Sequence, residues 1–124
     1  MDAERSTRPV RVLIVDDEPA LVEVLHEMLS SAPCYVRTAS TGAEALEVAL
    51  TFHPDVILLD VALSDLSGNE VLAELRRRGV QVPVIALAPR LDPVGPGFFE
   101  ALVKPMDLVT VARVVAAAVK GREA

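Results

Sequence analysis

The chain predicts a single α/β domain built on a doubly wound parallel sheet of five strands, with right-handed crossovers. Three observations carry this. Strand-like apolar runs alternate with helix-period segments along nearly all 124 residues. One central run is apolar throughout, as a strand covered on both faces must be. Charged residues fall at the ends of the strands, where ligands collect in such sheets.

Val10 to Val15 (VRVLIV) is the first strand and ends at a pair of aspartates. Pro19 marks the first turn of a helix with Leu21, Val24, Leu25 and Met28 on one face. Tyr35 to Ala39 reads as the second strand. Thr41-Gly-Ala-Glu44 has the form of a capping box and opens a helix through Phe52. The wholly apolar run Val56 to Leu59 is a central strand ending at Asp60. Ser67-Gly-Asn-Glu70 is a second capping box, opening a helix with Val71, Leu72 and Leu75 inward and Gly79 at its end. Val82 to Leu87 is the fourth strand and Ala101 to Val103 a short fifth. Asp107 caps a last helix running to Val119, with Leu108, Val111, Val115 and Val119 inward. Val109, Val114, Ala116 and Ala117 then lie outside, an apolar surface that would suit a homodimer or a docked partner.

Between the last two strands the alternation breaks down. Ala88 to Phe99 reads APRLDPVGPGFF, with three prolines and two glycines. A regular crossover helix is not expected there; a shortened helix or a Pro/Gly-rich loop is, with Leu91, Val94 and Phe98 covering the sheet.

Composition excludes several classes. The net charge of −6, from 18 acidic and 12 basic residues, leaves no basic face for direct nucleic-acid binding. The RRR run at Arg76 to Arg78 sits at a helix end, where it complements the dipole. No run approaches the roughly 20 apolar residues of a membrane span, and Met1 to Pro9 is not of signal-peptide type. With one cysteine, Cys34, no internal disulfide can form. A cytoplasmic protein is expected. Cys34 reads as a small buried hydrophobe, and His26 and His53 as surface residues.

Asp16 and Asp17 follow the first strand, Asp60 ends the third and Lys104 ends the fifth. If the first and third strands are neighbours, all four meet in one crevice. Carboxylates packed together repel and raise each other's pKa unless a cation lies among them. Mg²⁺, or Mn²⁺, is the natural occupant. Lys104 is a point charge suited to a phosphoryl oxygen, and Asp60 is placed to act as a nucleophile.

The segments VLIVDDEP, VILLDVALSDLSG, VPVIAL and LVKP, taken together, resemble the receiver domain of bacterial two-component response regulators (CheY-like). The resemblance covers residues 8–122 and implies the flavodoxin-like strand order 2-1-3-4-5. It implies Asp60 as phosphoacceptor and Mg²⁺ ligation by Asp17, Asp60 and the Ala62 backbone carbonyl, with Asp16 acting mainly through water. Lys104 would contact the phosphoryl group, and the Lys104–Pro105 bond would be cis. A sensor histidine kinase or phosphotransfer protein would be the donor, and output would run through protein contact, no output domain being expected after the last helix.

Four positions depart from the family pattern. Ala88 stands where a Thr or Ser hydroxyl would turn toward the phosphoryl group. Pro89 stands where a backbone N–H would donate to it. Ala101 replaces the aromatic residue often found three residues before the lysine, and Ser64 replaces a common proline. Arg90, next along, would supply a replacement charge at the pocket mouth. The reading is therefore a phosphorylatable receiver with weakened switching, not an enzyme beyond its own phosphotransfer and dephosphorylation. The alternative is a pseudo-receiver, a phosphorylation-independent interaction module. An intermediate case is a phosphate sink or relay. A metal-dependent hydrolase on the same fold would lack a general acid or base outside the cluster.

Overall fold

A computed structural model describes residues 9–30, 34–89 and 94–123. Strand β1 (Val10–Val15) leads into helix α1 (Pro19–Ser30), and β2 (Cys34–Ala39) into α2 (Gly42–Phe52). Strand β3 (Val56–Asp60) leads into α3 (Gly68–Arg77), while β4 (Val84–Ala88) passes to β5 (Glu100–Val103) and the chain closes with α4 (Leu108–Glu123). All strand pairs are parallel, in the order β2-β1-β3-β4-β5. The flavodoxin-like order implied by the family resemblance is therefore the observed one.

Alternation along the strands divides the core. Leu13, Val15, Ile57 and Leu59 face one side, packing with Ala45, Leu46 and Ala49 of α2 and Val71, Leu72 and Leu75 of α3. Val12, Ile14, Leu58, Ile85 and Leu87 face the other, against Leu25 and Leu29 of α1 and Val111, Val115 and Ala118 of α4. Every residue of β3 and β4 is buried, as central parallel strands require.

Local signals set the helix starts. The Ser67 hydroxyl accepts from the Glu70 N–H and the Glu70 carboxylate from the Ser67 N–H, completing the capping box expected there. At α2 only half of the expected box forms. Thr41 Oγ1 accepts from the Glu44 N–H, but Glu44 reaches back to the Ser40 N–H instead of that of Thr41. Asp107 does cap α4, its Oδ1 accepting from the Val109 N–H at 2.9 Å.

Two helix faces differ from expectation. Val24 is 45% exposed, and Leu29 joins Leu25 in the core in its place. On α4, Leu108 is exposed and Val114 is half-buried against the core, because the buried stripe runs through Val111, Val115 and Ala118.

Among the described residues no helix lies between β4 and β5. Pro96 and Gly97 form a turn, Gly97 having φ +101°, a region that favours glycine. The Gly95 N–H donates to Asn69 Oδ1 on α3, and Phe98 packs into the α2–α3 side of the core. Phe98 thus supplies part of the cover expected of this crossover, and Val94 is half-buried. Arg90 and Leu91 lie outside the described residues.

Candidate functional site

The sheet order brings the carboxyl ends of β1 and β3 together, and with them the aspartates. Ligand oxygens of Asp16, Asp17 and Asp60 all lie within 4.8 Å of one another. Asp16 and Asp60 are only 2% and 3% exposed, whereas Asp17 is exposed at the rim. An opening of about 390 Å³ adjoins them, lined by Asp17, Glu18, Leu21, Asp60, Ala62, Pro89, Lys104, Pro105 and Met106.

Lys104 enters from β5, its backbone N–H donating to the Ala88 carbonyl at 2.8 Å. Its Nζ lies 2.7 Å from Asp16 Oδ2, 3.3 Å from Glu18 Oε1 and 3.5 Å from Asp60 Oδ2. Lys104–Pro105 is cis. All four charged residues singled out from the sequence therefore meet in one place.

The charges are unevenly met. Burial pushes the Asp16 carboxyl above its ordinary pKa, helped by the Asp60 charge, against the pull of Lys104 and of the Glu18 N–H. Burial disfavours the Lys104 ammonium, but Asp16, Asp60 and Glu18 outweigh it and raise its pKa. Asp16 Oδ2 is buried without an aligned hydrogen-bond donor among the described residues, its neighbour at 2.7 Å being an ion-pair contact. Among the described residues, one ammonium facing three clustered aspartates leaves negative charge in excess. A hard divalent cation with oxygen preference fits this donor set.

The loop from Val61 to Ser67 frames the site from the β3 side. Ala62 N–H donates to Asp60 Oδ1 at 2.9 Å. Gly68 N–H closes back onto the Val61 carbonyl, and Ala62 pairs with Ser67 in an isolated antiparallel bridge. A Cβ on Gly68 would lie 2.7 Å from Val61 Cα, so only glycine allows that approach. On the β4 side the surroundings differ. Ala88 is buried, Pro89 lines the opening, and Ala101 is exposed on β5. Neither the Ala88 side chain nor Pro89 has a donor to offer.

Other marked residues play local parts. Arg76 Nη1 donates to the carbonyls of Val80 and Val82, while Arg77 and Arg78 pair with Glu74. The basic run thus finishes α3. Cys34 begins β2 half-buried, its thiol pKa raised by burial, which disfavours the thiolate. His53 is exposed and closes α2 with φ 55°; His26 is exposed on α1.

Two further residues make contacts that no sequence motif marks. Glu18 contacts Lys104, and its position directly after the aspartate pair was the available signal. Asp65 accepts from the Gly42 and Ala43 N–H groups at 2.8 and 3.0 Å. Nothing local announces a contact across 23 positions.

Comparison with known proteins agrees with this fold. Residues 12–116 match the family model described as the response regulator receiver domain. The transcriptional regulatory protein KdpE of Mycobacterium tuberculosis is 46% identical over 81 residues, covering 65% of this chain and 35% of that protein. The alkaline phosphatase synthesis transcriptional regulatory protein PhoP of Bacillus subtilis is 43% identical over 77 residues, 62% of this chain and 32% of its own. The chain spans about a third of the length of these curated relatives. Among solved structures, the chemotaxis response regulator CheY4 of Vibrio cholerae superposes with TM-score 0.82 at 27% identity, covering 89% of this chain and 98% of that one. The response regulator TrrA of Thermotoga maritima, solved in complex with Mg²⁺-BeF, gives TM-score 0.80 at 29% identity, with coverage of 88% and 98%.

Proposed function

The chain belongs to the response regulator receiver domain family, and from that premise we propose that it accepts a phosphoryl group on Asp60 from a histidine kinase or phosphotransfer protein. The carrying observation is the meeting of Asp16, Asp17 and Asp60 within 4.8 Å, with Lys104 Nζ 3.5 Å from Asp60 Oδ2. An Asp60 carboxylate oxygen attacks phosphorus; the new O–P bond forms as the donor's N–P bond breaks, and the departing imidazole keeps the electron pair. Asp17, Asp60 and the Ala62 carbonyl would hold Mg²⁺ (or Mn²⁺), with Asp16 acting mainly through water. The ion, when bound, neutralises charge on the transferring group. Lys104 turns its ammonium from Asp16 and Glu18 to the phosphoryl oxygens. The working compartment is the cytoplasm, where such donors reside; no described helix is long and apolar enough to cross a membrane.

Incubation with acetyl phosphate or phosphoramidate and Mg²⁺, followed by intact mass, tests this directly. A phosphoryl adduct is expected on the wild type, and none on Asp60→Asn or with the metal chelated. Absence of the adduct on the wild type sinks the proposal.

The response to phosphate is proposed to be weak. Ala88 and Pro89 together withhold two donors from the anion, each contributing on the order of 1.5–3 kcal/mol where present, and Ala101 carries no ring to swing. The same two residues favour a second reading, a phosphorylation-independent interaction module. Amide spectra with and without beryllofluoride, an acyl-phosphate mimic, separate the cases: a phosphate sink shifts only around the site, a switch shifts α4 as well. A homodimer through α4 completes the proposal, since Val109 is 73% exposed and Ala116 and Ala117 lie exposed with it. Val109→Glu is expected to turn a dimer into a monomer by light scattering; an unchanged mass removes this face from consideration.

A further inference from the structure

Asp65 stands at no strand end and touches none of the charged groups of the site, yet it ties two elements together. Its carboxylate, carried on the loop between β3 and α3, takes the Gly42 N–H on Oδ1 and the Ala43 N–H on Oδ2. These are the first two N–H groups of α2, which the helix itself leaves unpaired. The helix already has a local cap in Thr41. A second, distant cap is not needed to start the helix; its consequence falls on the loop that carries it.

That loop holds Ala62, which lines the opening beside Asp60. It is fastened at its base by Ala62 N–H on Asp60 Oδ1 and by Gly68 N–H on the Val61 carbonyl. Its outer part, Ser64 to Leu66, has the Asp65 pair and the packing of Leu66 to hold it. Leu66 packs beside Gly42 so closely that a Cβ there would come within 3.0 Å of Leu66 Cβ and 2.9 Å of Val71 Cγ2. Helix start and loop tip are thus fitted to each other by hydrogen bonds and by shape.

We propose that Asp65 is a positioning residue for the metal site: by clamping the loop tip to α2 it holds the Ala62 carbonyl where a cation beside Asp60 requires it. The inference rests on the reading of this crevice as a Mg²⁺ site. Side chains that orient ligands from outside typically carry about 10–100-fold in metal affinity. Because Asp65 acts through the backbone of a single ligand, an effect near the lower end, about tenfold, is expected. Linkage requires the converse as well: bound Mg²⁺ must protect the Gly42 and Ala43 amides from hydrogen exchange.

The test titrates Mg²⁺ alone into the whole chain, following amide shifts, for the wild type, Asp65→Ala, Asp65→Asn and Thr41→Ala. Thr41→Ala removes a cap from the same helix end without touching the loop, so it is the control for a merely structural role. Asp65→Ala is expected to weaken Mg²⁺ about tenfold, and Asp65→Asn, which keeps one acceptor oxygen, less. Thr41→Ala is expected to leave Mg²⁺ affinity at the wild-type value despite lower stability. Exchange at Gly42 and Ala43 should slow on adding Mg²⁺ to the wild type. Wild-type affinity in both Asp65 variants overturns the inference and leaves the proposed function standing. Equal weakening in Thr41→Ala also overturns it, as loss of helix stability would then suffice. No Mg²⁺ binding by the wild type removes the functional reading and the inference together.

Discussion

Two segments leave the sheet beside Asp60, and they are built in opposite ways. The exit from β3 is fastened at every stage: Ala62 to Asp60, Gly68 to Val61, Asp65 to the start of α2, and Ser67 with Glu70 across the start of α3. The exit from β4 begins with Ala88 and Pro89, whose side chain and imide nitrogen donate nothing, and among the described residues that follow it is held at Gly95 and Phe98. The first exit carries the groups proposed to hold a cation and follows the proposed nucleophile, Asp60. The second carries the positions at which a receiver of the usual pattern answers its phosphate. On the proposed function, capture and response sit on different segments, and a chain could keep one while changing the other.

If the segments are separable, damage to the second must leave the first alone. Phe98 is half-buried among α2–α3 core residues. Phe98→Ala is expected to cost about 2 kcal/mol, below the roughly 3–5 kcal/mol of a fully buried ring, measured by urea unfolding. Mg²⁺ affinity at low denaturant should not move. A parallel loss of affinity would show that the crossover supports the metal site too, and the division would fail.

Restoring a donor should sharpen the contrast from the other side. Ala88→Thr places a hydroxyl at the buried end of β4. A hydrogen bond to the phosphoryl group contributes about 1.5 kcal/mol or more, which is about a tenfold change in an equilibrium. With beryllofluoride bound, the Ala88→Thr variant should shift α4 amides that stay near their free positions in the wild type. If the wild type already shows large α4 shifts, the proposed weakness of its response is wrong. On the first exit, Ser67→Ala removes one half of a complete capping box and should cost about 1 kcal/mol, again by urea unfolding.

Much of this was legible before the structure. Periodicity marked the strands because β1 and β3 are short, mostly apolar runs that lead to aspartates, and the topology then made those aspartates neighbours. The proline and glycine content of the crossover likewise announced that a regular helix could not form there, although composition does not say what replaces it. What escaped has a common cause. The Asp65 clamp joins residues 23 and 22 positions apart, and Val24 is exposed while Leu29 is buried against the sheet. Glu18 gains its role only from a lysine 86 positions away. Local patterns report local forces, and these contacts exist only once distant segments are packed.

The smallest effect concerns protonation of the clamp. Hydrogen bonds from the Gly42 and Ala43 N–H groups lower the Asp65 pKa from its ordinary value of 3.8. A carboxyl whose pKa is lower in the folded chain adds stability above its unfolded pKa and loses it as pH falls through the folded one. Asp65→Asn has no such titration. The stability gap between wild type and Asp65→Asn should therefore be flat at neutral pH, begin to shrink near pH 3.8, and go on shrinking below it. Unfolding midpoints of both proteins across that range measure the gap, and titrations common to both cancel in the difference. Asp65 is exposed, so solvent screening keeps the change small. A gap that does not vary with pH would mean the two N–H groups gain no more from a charged acceptor than from a neutral one, and the clamp would hold by shape alone.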